Sequence, residues 1–551
     1  MHKGWLFLIA SCLAMVACAS PSSPAAAPSG AAPAAAPAGP KLGGRLTLDI
    51  AFDPTNWDTT TTNRRQSYYT AHSMSRLLQF KSGPDVKFAD LTLAPEVAEK
   101  WEISPDAKSF KFTLRKGVKW QNLPPVNGRE LTSADVKFTM EYVGRIGEVA
   151  GKSLQPSNET WTVAGLSSVD TPDPYTAVVN FKEPFAPYLS YTSSVFLSLL
   201  PREIYDRDGK FDSTRVGSGP YILDSQGTQA GSRVVWKKNP TYWEPGKPYL
   251  DEIVQLVLPD EGTARAAFRT KQLDMLTERI SVSAADEIKK GNPEAVMFPF
   301  NRPGPYYVWI SQKPGQIFAN DKLRKAFSLA TDREAMITGF ANGQGEMALA
   351  GALPDTFTPA ETKGLLKYDP EQAKRLLAEA GYPNGLSVDL IFPGAAYGDT
   401  YVSLLQLLQA QVKKVGFTVN LKSMGSAELL GISRTGDFAL AGGGTVGLFG
   451  DADSNLFGSW HPASGNNVTK VNDPVLTALV EAQRREADPV KRKELIRQTV
   501  RMINENVNGY ITFFREPTAY FWHPYVKGQY PNFTNAGTSY TPYITETWID
   551  K

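Results

Sequence analysis

Between residues 321 and 421 the chain alternates a helical with an extended period, and few folds accept that order. Leu323, Ala326, Phe327, Ala330 and Ile337 make one helical stripe. Asp369 and Pro370 open a second helix, with the aspartate as N-cap and the proline in the first turn. Ala373, Leu376, Leu377 and Ala380 form its inner face, and Gly381 and Pro383 stop it. Leu386, Val388, Leu390 and Phe392 then alternate as a strand. A helix over 402–415 ends at Gly416, and 417–421 is the next strand. Such α-β-α-β order predicts an α/β lobe whose sheet is covered by helices. Two more helices begin at Asp473-Pro474 and Asp488-Pro489.

The whole chain has 551 residues, too many for one ordinary core, so more than one domain is expected. Ahead of the α/β stretch the texture is different. Leu46, Leu48 and Ile50 alternate as a strand that Pro54 ends. Phe110, Phe112 and Leu114 do the same over 109–114, and 177–181 is another strand. Thr132-x-x-Asp135 is a capping-type start for a helix that turns Val136, Met140 and Val143 inward. From Tyr510 the chain is aromatic and Pro-rich, with strand texture again.

The first residues read as an address. Lys3 gives a positive start, and 5–16 is an apolar run too short to span a bilayer as a mature helix. It ends at Met15-Val16-Ala17-Cys18, which resembles the bacterial lipobox. That resemblance implies a signal peptide over 1–17, cleavage before Cys18 and acylation of that cysteine. Met15 and Val16 depart from the usual residues, and an ordinary signal peptide with an incidental cysteine is the alternative. Residues 18–44 are then an anchored Ala/Pro-rich tether that cannot build a core. The folded part is expected to work outside the cytoplasm, held at the membrane by the lipid only.

Several chemistries find little support. Lys plus Arg is 58 and Asp plus Glu is 56, so charge gives no reason to expect nucleic-acid binding. GEVAGKS at 147–153 is one residue short of a phosphate loop. His72, His461 and His523 are scattered, so no metal site is expected, nor a cofactor. No nucleophile elbow is present and no catalytic residue is assigned. The one enzymatic alternative is an exported hydrolase using Asp451 and Asp453 as its carboxylate pair.

An ordered set of segments then carries a family resemblance. It comprises LAPEVAEKW at 93–101, SPDAKSFKFTLRKGVKW at 104–120, LTSADVKF at 131–138, GSGPY at 217–221, NDKLRKAFSLATDR at 320–333 and YDPEQAKRLLAEAGY at 368–382. Together they resemble the extracytoplasmic solute-binding proteins of ABC importers, in the peptide/nickel-binding family. The resemblance implies an α/β, two-lobed clam-shell fold of the periplasmic-binding-protein type, with an extra subdomain on the first lobe. It places the first lobe at 45–57, 168–299 and 510–551, the extra subdomain at 58–167 and the second lobe at 300–509. The hinge crossings fall near 299–306 and 508–514. A small solute or peptide in the interlobe cleft and ABC permease subunits are the implied partners, for a monomer.

The resemblance also points to ligand contacts. Peptide-binding members supply an aspartate for the peptide amino terminus just ahead of a D-P-D-like element. Asp451-Ala-Asp453 corresponds to that element, which puts the anchor position at Leu448, within GGGTVGLFG at 442–450. No acid lies in that stretch, and an ammonium buried without a carboxylate is costly. A slip of a few residues in the correspondence would make Asp451 the anchor instead. Gly443 and Thr445 offer backbone close to a ligand, or simply a surface loop. Phe449, Trp460 and Trp57 are candidate aromatic walls. Tyr306, Tyr307 and Trp309 alternate at the hinge, with one face expected in the core and the other in the cleft. Arg515, after the second crossing, is a candidate for an acidic ligand. Arg324 and Arg333 read as structural.

Overall fold

Strand residues gather into three main sheets, each with its own core. The computed structural model describes residues 39–54, 57–58, 71–151, 160–211, 215–277, 280–445, 450–531 and 544–551. The expected signal peptide, Cys18, the tether as far as 38, Leu448 and Phe449 lie outside them. No helix among the described residues is long and apolar enough to cross a membrane.

The first lobe is built on a seven-stranded sheet. Its order is Val296–Asn301, Pro517–Trp522, Met275–Leu276, Arg45–Ile50, Glu252–Val257, Arg233–Lys238 and Tyr221–Leu223. Arg45–Ile50 lies at its centre, parallel to both neighbours. Leu46, Leu48 and Ile50 pack with Trp236 and Tyr520 on one face. The other face is covered by Ala264, Phe268 and Ala284 of two helices, so this strand is buried on both sides, as parallel sheets require.

A four-stranded antiparallel sheet stands beside it, in the order Ala98–Ile103, Ser109–Leu114, Thr176–Phe181, Leu166–Asp173. Phe110, Phe112 and Leu114 turn one face inward against the helix Ser133–Gly144, whose Val136, Met140 and Val143 are fully buried. Thr132 and Asp135 form the reciprocal capping box expected there. The sheet runs on to Phe181, so a subdomain ending at 167 would cut its Leu166–Asp173 strand. Hydrogen bonding to 109–114 carries 176–181 with it.

The second lobe is the α/β unit. Its sheet runs Phe417–Ser423, Leu386–Phe392, Leu440–Thr445, Tyr306–Ile310, Tyr510–Thr512. The first three are mutually parallel, and Tyr306–Ile310 runs antiparallel to both of its neighbours. Asp369, Asp473 and Asp488 each accept backbone hydrogen bonds as N-caps ahead of Pro370, Pro474 and Pro489. Two details differ from the expected pattern. The 323–337 stripe is two helices, Asp321–Leu329 and Arg333–Ala341, because Asp332 caps a new start. The 402–415 helix extends back to Gly394, with a break at Gly398, whose φ of 74° a side chain would strain. Tyr510–Thr512 pairs with Tyr306–Ile310, so a lobe boundary at 509/510 separates strands that share one ladder.

The chain passes between lobes over 301–306 and 512–517. Arg302 N–H donates to the Glu516 carbonyl at 2.8 Å, and its guanidinium pairs with the Glu516 carboxylate at 2.9 Å. The Tyr306 hydroxyl donates to the same carboxylate at 2.7 Å. The two crossings are thus laced side by side.

GSGPY is explained by proximity rather than by turn conformation. A Cβ on Gly217 or Gly219 would collide with the Ser73–Met74 backbone, and Gly219 N–H donates to the Ser73 carbonyl at 2.9 Å. Arg324 and Arg333 are structural. Arg324 donates to the Phe318 and Ala319 carbonyls, and Arg333, 2% exposed, to the Thr512 and Ser328 carbonyls.

Candidate functional site

Strand direction locates the crevice. In the second lobe Tyr306, at the entry from the hinge, is paired with Thr445 at the carboxyl end of its strand. Leu386–Phe392 runs parallel to Leu440–Thr445, so both strands end at the hinge edge. In the first lobe Asn301, at the exit to the hinge, is paired with Pro517. Pro517–Trp522 is antiparallel to Met275–Leu276, which is parallel to Arg45–Ile50. Arg45–Ile50 in the first sheet and Leu386–Phe392 in the second have parallel neighbours on both sides, so the connections diverge there. Open α/β sheets bind ligands outside the carboxyl ends at such a divergence. Both lobes turn that edge to the hinge, so the segments after Ile50 and Phe392 and the strand end at Thr445 border the cleft.

On the first-lobe side Trp57 is half-buried, its ring edge-on to Trp236 at 6.1 Å. Its carbonyl accepts from the Arg215 guanidinium at 2.8 Å, and Arg215 also donates to Ser73 Oγ at 2.6 Å. Burial lowers the Arg215 pKa to about 9, with Asp58 opposing. Burial also lowers His72 to about 3, so this imidazole is neutral between Tyr221 and Trp236. Trp57 is thereby held by the Arg215 guanidinium at its backbone and by the Trp236 ring at its side chain.

On the second-lobe side the glycine run is occupied by aromatic rings. A Cβ on Gly443 would overlap the Tyr307 ring, one on Gly442 would meet Phe392 and Tyr401, and one on Gly444 would meet Tyr397 at 2.9 Å. The Tyr401 hydroxyl donates to the Tyr307 carbonyl at 2.7 Å. The glycines exist at least as much for these rings as for a ligand. Tyr397, absent from the sequence-derived candidates, is 37% exposed and stands on Gly444 at the carboxyl edge. Its ring meets Tyr401 edge-on at 5.3 Å. The Pro393-Gly394 stop after an alternating strand was the signal that this segment borders the crevice.

Asp451 and Asp453 sit on the turn that follows. Arg492 grips Asp451 with two bonds, of 2.8 and 2.6 Å, and Asp453 N–H donates to Asp451 Oδ1 at 2.8 Å. Asp453 accepts from the Tyr191 hydroxyl at 2.9 Å and from Gln483 Nε2 at 2.6 Å, and pairs with Arg484 at 3.2 Å. Burial raises the Asp453 pKa, against the pull of Arg484. Both carboxylates are at most 5% exposed. This is an internal ion network, not a pair of acids flanking a solvent-filled groove.

The remaining candidates divide. Trp460 is 2% exposed, donates to the Asn508 carbonyl at 2.6 Å and packs on Tyr510, so it is core and not a cleft wall. The expected division of Tyr306, Tyr307 and Trp309 into a core and a cleft face is replaced by two cores. Tyr306 packs with Val308 and Phe514, and Tyr307 with Tyr510 and Trp309, because helices cover both faces of this sheet. Arg515 is 3% exposed and donates to the Pro303 and Ala352 carbonyls at 2.9 and 3.0 Å, with Glu346 at 3.5 Å. It staples the hinge instead of waiting for an acidic ligand. Thr445 pairs with Tyr306 through its backbone. Among the described residues no group of three or more His, Cys, Asp or Glu could hold a metal ion.

Comparison with known proteins adds ancestry to this geometry. A model of the bacterial extracellular solute-binding proteins, family 5, middle region, matches residues 92–467. The dipeptide-binding protein of Escherichia coli is 28% identical over 440 residues, 77% of this chain and 80% of that protein. The structure of HbpA2 from Haemophilus parasuis superposes with a TM-score of 0.76 at 24% identity, covering 92% of this chain and all of that one. AgaA of A. tumefaciens R10, in complex with agropinic acid, gives a TM-score of 0.73 at 25% identity, over 92% of this chain and 99% of its own.

Proposed function

The chain belongs to the family 5 bacterial extracellular solute-binding proteins, and from that premise we propose a lipid-anchored receptor that closes on a small organic solute lacking a free amino terminus. It delivers that solute to the permease of an ABC importer, as a monomer tethered through Cys18. The observation that carries the reading is the commitment of the acids. Residues 442–450 contain no carboxylate, and Asp451 is already held by Arg492. An ammonium brought to this side of the cleft would find no unpaired acid in that segment, and an unpaired buried charge is strongly unfavourable. The scaffold itself accommodates a ligand such as the agropinic acid bound by AgaA. Capture requires no catalytic group, and the arginine-bound Asp451 and Asp453 are poorly placed for hydrolysis.

A peptide is the second reading, favoured by the similarity to a dipeptide-binding protein. A thermal-shift panel of di- to pentapeptides, opines, aromatic acids, sugars, nickel chelates and haem separates the two. A ligand at a hundred times its Kd stabilises by about 2.7 kcal/mol. Shifts confined to amine-free acids or sugars support the proposal. A shift with peptides on the native chain refutes it. Where the native chain shows no peptide shift, Leu448→Asp should create peptide affinity. Cys18→Ser should release the protein from the membrane fraction, and retention would count against the anchor.

A further inference from the structure

The Asp451–Asp453 turn meets the first lobe through side chains that no solute has to supply. Phe185, Tyr188 and Tyr191 belong to the core of the four-stranded sheet, with Phe110, Phe112 and Phe181. Ala452 and Leu456 belong to a second-lobe core with Tyr307 and Trp460. The hinge crossings join these two bodies along the chain, and among the described residues side-to-side contacts bridge them as well. The buried Tyr191 hydroxyl donates to Asp453 Oδ2 at 2.9 Å, across 262 residues of sequence. Ala186 N–H donates to the Arg484 carbonyl at 2.8 Å. The Arg484 guanidinium lies over the Phe185 ring at 4.8 Å, while pairing with Asp453 on its own side. Gly450 is packed against the Phe80 ring so closely that a Cβ would overlap it.

We infer that these contacts form an interlobe latch, with Tyr191 as a positioning residue that sets the closed-to-open ratio of the lobes before any solute arrives. The chemistry suits a latch. Asp453 gains a donor only when the lobes meet, and the Phe185 ring offers its face to a cation already neutralised by Asp453. Arg492, Gln483 and Arg484 stay with the turn in either state, so opening strands no charge. Opening exposes a tyrosine hydroxyl and a backbone amide to water, which can replace their partners. The contacts are therefore worth a modest net amount, as a reversible device requires. A shift in this ratio changes affinity by one common factor for every solute whose contacts lie outside the latch. The inference rests on the two-lobed fold and not on the identity of the solute.

The test is a distance measurement without ligand. The chain from Ala19 onward contains no cysteine, so Glu102→Cys and Val490→Cys place unique spin labels. Glu102 has 69% side-chain exposure, on the four-stranded sheet, and Val490 is 77% exposed, on a second-lobe helix. Pulsed electron–electron resonance should show a short-distance population in the otherwise native chain. Tyr191→Phe, which removes one oxygen, should move about tenfold of the closed-to-open ratio toward longer distances. Gly450→Ala, which wedges a methyl at Phe80, should shift it the same way. Unchanged distances in both variants, even with a lowered Tm, would mean permanent packing and overturn the latch. So would a native chain that shows only the long distance.

Discussion

Asp451→Ala separates a structural carboxylate from a ligand anchor. Asp451 accepts two bonds from Arg492 and one from the Asp453 amide, and its side chain is 5% exposed. Removing it leaves the Arg492 guanidinium, 14% exposed, with the Gln483 carbonyl at 3.0 Å and Gln483 Oε1 at 3.0 Å. Breaking one side of a buried pair costs about 3–5 kcal/mol. Asp453 still lies close enough to act on Arg492, which argues for the lower end, about 3 kcal/mol. If the second lobe unfolds as a unit of roughly 200 residues, each kcal/mol moves Tm by about 2–4 °C, so the drop is about 6–12 °C. Differential scanning calorimetry reads it directly, and Asp451→Leu with Arg492→Met should recover most of it. If Asp451→Ala melts within about 1 °C of the native chain while abolishing binding of a ligand, that carboxylate serves the solute and the reasoning fails.

Gly443→Ala should lower the urea midpoint by an amount equivalent to about 1–3 kcal/mol, because the new methyl overlaps the buried Tyr307 ring. An unaltered midpoint would return the glycine run to a purely ligand-facing role. Arg515→Met should cost about 1–3 kcal/mol by leaving the Pro303 and Ala352 carbonyls without donors, while the order of solute preference in the thermal-shift panel stays unchanged. A reordered preference would put the guanidinium in the cleft. Glu361 closes a capping box with Thr358 and pairs with Arg497, and the Thr358 backbone hydrogen bond leads the causes that lower its pKa from 4.5 to about 2. Its contribution is therefore present above about pH 4.5 and lost as pH falls toward 2, so Glu361→Gln should flatten the urea midpoint against pH in that window. Equal slopes for both chains would show that the carboxylate holds no such advantage in the folded state.

Much of the architecture was legible because it is encoded locally. Asp369, Asp473 and Asp488 announce their helices, since capping involves residues two or three positions apart. Strand alternation in 109–114 and 386–392 was likewise visible, because the period of two is a property of the backbone. The Asp332 restart was missed because Ala330 and Ile337 keep the apolar period running across it. The candidate site was less legible. Tyr306, Tyr307 and Trp309 were expected to divide between core and cleft, a rule for sheets covered on one side, whereas this strand has helices on both.

The residues alone determined the alternating α/β lobe, the helix starts, the family resemblance and the absence of an acid over 442–450. Tertiary packing decided what each charge does. Asp451 meets Arg492 at 41 residues' separation, Asp453 meets Tyr191 at 262, and Arg515 meets the Pro303 carbonyl at 212. No periodicity links such positions. A buried charge takes whichever partner the packing of two lobes brings to it, because leaving it unpaired costs more than any local preference can offset.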